Sequence, residues 1–147
     1  MNTKSITSIF VLLAIVSIAV TMPSAYAEHA TEAYVTMAQG SGAMGCEETP
    51  EGCFIPTNVT IAAGGHVEWE NTDNMMHFAT SGDAATMTPD GIFDSSMIQA
   101  GSTFSFTFDD AGTYPYYCMV HSWMVGTIVV EEDDHHAEEA AAAELAA

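Results

Sequence analysis

Basic residues are all but missing from this chain: of 147 residues only Lys4 carries a permanent positive charge, against 20 Asp and Glu. All 20 acidic side chains lie at or beyond Glu28, so the chain from that point on has a formal charge of −20. A surface of that sign repels phosphates and anionic lipid, which excludes nucleic acid as a partner. It favours a basic protein partner, or a salty medium that screens self-repulsion. Long apolar runs are scarce too. The one candidate, Ile9 to Val20, falls short of the ~20 residues that a spanning helix needs. It follows Lys4 and runs into Ala25-Tyr26-Ala27, the layout of a secretory signal cleaved before Glu28. An uncleaved anchor is the rival reading; otherwise no integral membrane segment is expected. Cysteine is limited to three residues. Cys46 and Cys53 bracket a turn-rich loop that a disulfide closes in an oxidising compartment, which leaves Cys118 as the odd one. No internal repeat is visible, and the length accommodates one core.

What the chain does have is concentrated in Tyr116-Tyr117-Cys118-Met119-Val120-His121-Ser122-Trp123-Met124-Val125-Gly126. A thiolate, an imidazole and a thioether stand there at Cys-x-x-His-x-x-Met spacing. A second imidazole, His77, follows the polar turn Asn71 to Asn74. Two imidazoles, one thiolate and a weakly held thioether form the ligand set of a blue-copper electron-transfer centre. Metal binding also gives Cys118 a reason to stay reduced in an exported protein. His66, on an alternating strand, competes with His77 and is read as structural. Met119, Met75 and Met76 compete with Met124, since methionine is a common core filler. Zinc is disfavoured because a thioether suits it poorly. A dinuclear copper site needs a second loop cysteine that is absent. His29, His135 and His136 are read as incidental surface residues.

These residues resemble the cupredoxins of the plastocyanin and amicyanin type. The tyrosine-rich approach, the Cys118 loop and the strand Val125 to Val130 look like that family's C-terminal hairpin, and the two three-residue steps are most similar to amicyanin. Gly91-Ile92-Phe93-Asp94-Ser95 and Thr103 to Phe108 form a second matching segment, so the resemblance covers about residues 55 to 131. It implies one copper ion cycling between Cu(I) and Cu(II), His77, Cys118 and His121 in a trigonal plane, Met124 as the long axial ligand, and His121 as the electron exit. Two features depart from the family pattern. Phe78 stands where a small polar residue is usual, and Trp123 sits between His121 and Met124 without the usual nearby proline. Both bear on solvent access and on hydrogen bonding to the thiolate.

The remaining pattern is strand and turn. Ala33 to Gln39 predicts a first strand. Thr57 to Ala62 and His66 to Glu70 alternate around Gly64-Gly65 and predict a hairpin. Ser81 to Gly101 reads as irregular. Thr103 to Phe108 alternates most cleanly, with Phe104, Phe106 and Phe108 on one face. Thr113 to Cys118 and Val125 to Val130 complete about seven strands, which predicts an all-β Greek-key sandwich. The expected organisation is a signal at 1–27, a copper-binding domain at 28–131 and an acidic, alanine-rich tail at 132–147 that is mobile. The functional expectation is an exported, monomeric, one-electron carrier and not an enzyme, serving basic or membrane-bound redox partners. The alternatives are copper storage or delivery, suggested by ten Met and six His, and a small redox enzyme with an open copper position.

Overall fold

The computed structural model describes residues 30–132 and 142–146. Nine strands form among them: β1 (Glu32–Met37), β2 (Phe54–Ile55), β3 (Asn58–Ala62), β4 (Gly65–Asn71), β5 (Thr80–Asp83), β6 (Thr88–Asp94), β7 (Thr103–Phe108), β8 (Gly112–Tyr117) and β9 (Val125–Glu131). They make two sheets, ordered β2-β1-β4-β7 and β3-β9-β8-β5-β6. The all-β sandwich expected from the pattern is what forms.

Period-two alternation explains the packing. Val35 and Met37 of β1 and Val67 and Trp69 of β4 are fully buried, and they face Ile61, Tyr116 and Ile128 from the other sheet. Each such side chain contributes about 1.5–3 kcal/mol by leaving water. Trp69 is the aromatic hub, with ring centroids 5.4 Å from Phe93, 5.6 Å from Phe104 and 5.4 Å from Tyr116. Tyr116 lies across Gly126, where an added Cβ would come within 2.4 Å of its ring. Only glycine allows that approach.

Two expectations need correction. Thr57–Ala62 and His66–Glu70 do not form a hairpin. Instead β3 pairs in parallel with β9, and β4 pairs in parallel with β1, so the Gly64-Gly65 turn carries the chain from one sheet to the other. The reason is burial: β3 and β4 each have one largely apolar face, and placing them across the core covers both. The stretch 81–101 is also less irregular than expected. β6 lies at a sheet edge against β5, with a register shift between Thr80 and Gly82. Its sequence hides it, because an edge strand with only Phe93 buried shows no alternation.

The predicted signal segment, His29, and His135 and His136 lie outside the described residues. In the tail, residues 142–145 form one exposed helical turn. Three loops gather at one end of the sandwich: 38–53 between β1 and β2, 72–79 between β4 and β5, and 118–124 between β8 and β9.

Candidate metal centre

The 118–124 loop is pinned where it leaves the sheet by the pairing of Tyr117 with Val125. Inside it, the Cys118 N–H donates to the Met124 carbonyl at 3.1 Å, and the Met124 N–H donates to the His121 carbonyl at 2.9 Å. These bonds fold the three-residue steps so that Cys118, His121 and Met124 turn toward the core, with exposures of 0%, 9% and 0%. The 72–79 loop is fixed separately. His77 makes an isolated bridge with Ile98, and the buried Asn71 amide donates to the carbonyls of Met75 and Ile98 at 2.8 and 3.0 Å.

His77, Cys118 and His121 converge. His77 Nδ1 is 3.0 Å from His121 Nδ1 and 3.8 Å from Cys118 Sγ, and His121 Nδ1 is 3.5 Å from that sulfur. A triangle of this size has its corners about 2 Å from a common centre, the range of first-row metal bonds to imidazole and thiolate. The donor set is soft sulfur plus imidazole, which suits copper. Met124 is buried in the same loop, one hydrogen bond from His121. The Phe78 N–H donates to Cys118 Sγ at 3.4 Å. A backbone group donates that bond, so an apolar side chain at position 78 does not remove it.

The centre also contains residues that the motif did not indicate. Asp73 has a fully buried side chain, and its Oδ2 is 2.8 Å from His77 Nε2. The same carboxylate accepts from the N–H groups of Gly40 and Gly42, both at 2.9 Å, and of Asn74 at 2.8 Å. Burial pushes the Asp73 carboxyl up. The Gly40, His77, Gly42 and Asn74 hydrogen bonds outweigh it and bring the pKa down to about 2. A carboxylate only accepts, so Nε2 is the His77 nitrogen that donates to Asp73, and Nδ1 is the nitrogen that faces Cys118 and His121. Burial lowers the His121 pKa, with His77 adding to the effect and Asp73 partly opposing it.

The 38–53 loop lies over this arrangement as a strap. Ser41 Oγ is 3.3 Å from His77 Nε2, and the Ser41 carbonyl accepts from Trp123 Nε1 at 2.9 Å. The Trp123 ring lies 5.2 Å from the His121 ring. The strap is closed by the expected Cys46–Cys53 disulfide, and Cys118 is the free, buried cysteine. His66 stays away from the centre, with its Nε2 3.2 Å from Glu32 on the surface. Met75, Met76 and Met119 are 49%, 41% and 42% exposed, so none of them is buried with the triangle as Met124 is.

Asp73 was visible in sequence only as part of a polar turn. Its position four residues before His77 was the available signal. Nothing local marked Ser41, because its partner is 36 positions away.

Residues 42–131 match the family model of copper-binding proteins, plastocyanin/azurin family. Amicyanin of Paracoccus versutus is 31% identical over 78 residues, covering 53% of this chain and 58% of the relative. The chloroplastic plastocyanin of Tetradesmus obliquus is 33% identical over 84 residues, covering 53% and 58%. The chain thus spans less than two thirds of the length of these curated relatives. A solved purple cupredoxin from Nitrosopumilus maritimus superposes with a TM-score of 0.59 at 30% identity, covering 67% of this chain and 99% of that one.

Proposed function

The chain belongs to the plastocyanin/azurin family of copper-binding proteins, and on that premise we propose that it is an exported one-electron carrier working between redox proteins. In this reading a single copper ion is held by His77, Cys118, His121 and Met124. The observation that carries the reading is the buried convergence of two Nδ1 atoms and one Sγ at 3.0–3.8 Å.

Copper bound there supplies a Cu(I)/Cu(II) couple. The protein's part is to hold one geometry for both states, so that little reorganisation accompanies each transfer. Two braced loops would do this, with His77 on one and the other three ligands on a hairpin loop ordered by its own backbone bonds, both tied to Ser41 of the strap. The Phe78 N–H would stabilise charge on Cys118, and Met124, buried on the same loop, would supply the thioether. His121 is the one ligand with residual exposure, next to the exposed Met119 and Val120. That side suits electron exit toward an apolar partner surface, while the acidic chain favours a basic one.

The test is a visible spectrum of the protein loaded with cupric ion, followed by ascorbate reduction and reoxidation. An intense thiolate band that bleaches, returns with copper retained and is lost in Cys118→Ser supports a carrier. A colourless protein, or an equal band in Cys118→Ser, rejects the copper–thiolate centre. Copper lost on each reduction favours delivery, and catalytic consumption of a small oxidant or reductant favours an enzyme. N-terminal sequencing of secreted protein tests cleavage before Glu28.

A further inference from the structure

The fully buried Asp73 side chain has no lysine or arginine to balance it, since Lys4 is the only such residue in the chain. Burying a carboxylate in this way is costly unless its oxygens are fully hydrogen-bonded. Both oxygens of Asp73 are. Oδ1 accepts from the Gly40 and Asn74 N–H groups, and Oδ2 takes Gly42 N–H and His77 Nε2. The carboxylate is therefore a junction. One oxygen reaches the ring of a proposed copper ligand, and both reach the strap.

Resting on the copper reading above, we infer that Asp73 is a positioning residue that sets the donor strength of His77 and ties the strap to the metal centre. A carboxylate hydrogen-bonded to the distal nitrogen of a ligating imidazole fixes its tautomer and ring angle and makes its other nitrogen a better donor. Here the fixed tautomer turns Nδ1 toward Cys118 and His121. A buried negative charge one ring away also stabilises the more positive ion, so Cu(II) gains more than Cu(I). Ser41 Oγ, at 3.3 Å from the same nitrogen, is neutral and more distant. The effect belongs to the carboxylate and not to the strap hydroxyl.

The experiment compares wild type, Asp73→Asn and Ser41→Ala as copper-loaded proteins, by visible spectrum, Cu(II) and Cu(I) competition titrations and spectroelectrochemistry. Asp73→Asn is expected to keep the thiolate band and lose about tenfold more affinity for Cu(II) than for Cu(I). That ratio corresponds to a rise of about 59 mV in potential for a one-electron couple. Ser41→Ala is expected to stay close to wild type. An unchanged potential in Asp73→Asn that retains its band overturns the inference, as does an equal shift in Ser41→Ala. If Asp73→Asn fails to fold, nitrogen-15 NMR of copper-free wild type decides: a proton on His77 Nε2 supports the inference, and one on Nδ1 overturns it. A wild-type protein without a thiolate band rejects the copper reading itself, and the NMR result then stands apart from it.

Discussion

The two histidines that face each other at the centre are held by different means. His77 is fully buried, and its distal nitrogen is engaged by Asp73 and Ser41, which belong to a braced turn and a disulfide-closed strap. His121 retains 9% exposure and sits on a loop ordered by two of its own backbone bonds, with the Trp123 ring beside it. Among the described residues no carboxylate is hydrogen-bonded to His121. One side of the site is fastened through a buried carboxylate and the strap, while the other is ordered mainly by its own backbone bonds and meets the strap through Trp123. The proposed electron carrier would benefit from both: a fixed ligand frame, and one thin wall through which a partner can reach the metal.

Removing the rings one at a time should separate the two sides most strongly. His77→Ala leaves a cavity and deprives buried Asp73 of a donor, and should destabilise the copper-free protein by about 3 kcal/mol. His121→Ala should cost about 1 kcal/mol or less, because nothing charged is orphaned. Urea denaturation of both copper-free proteins measures the difference, and equal losses would remove the distinction between a held and an open side. Opening the strap comes next. Replacing both Cys46 and Cys53 by Ser frees a short closed loop, for which chain entropy gives about 2.5 kcal/mol. The thiolate band should survive, since neither cysteine belongs to the triangle; a lost band would show that the strap builds the ligand set and does not merely brace it.

Acid sharpens the same contrast. The folded Asp73 pKa of about 2 lies below the ordinary 3.8, so the unfolded chain takes up the proton first. Its stabilisation is therefore complete above about pH 4 and is lost as pH falls toward 2, amounting to about 2 kcal/mol. Copper-free wild type should show that added loss of stability on acidification, and Asp73→Asn should not. A small effect is also expected from Trp123→Phe, which keeps a ring beside His121 and removes the bond to the Ser41 carbonyl. About 1 kcal/mol of stability should be lost, readable as a small shift in the urea midpoint.

How much was legible in the chain follows the range of the contacts. Cys118, His121 and Met124 lie within seven residues, and two backbone bonds fold that loop locally, so their spacing carried the chemistry. The Cys46–Cys53 pair is equally local. The apolar alternation in β1, β4 and β7 revealed strands because each has one buried face. Alternation does not say which sheet a strand joins, and the expected β3–β4 hairpin was wrong for that reason: both turns look alike until two apolar faces have to be covered across a core. β6 was missed because an edge strand shows no apolar pattern.

By itself, then, the sequence determined the sheet-rich class, the acidic surface, the disulfide and a soft, copper-suited donor set, since these depend on composition and short-range spacing. Only the tertiary structure decided that the 38–53 loop crosses the metal centre, that Asp73 sits behind His77, and that one histidine is held while the other is left near the surface. The first of these depends on contacts between residues more than thirty positions apart. Asp73 is four positions from His77, but its carboxylate is also held by N–H groups of that distant loop. Which distant segments meet is set by how the apolar faces of the two sheets pack.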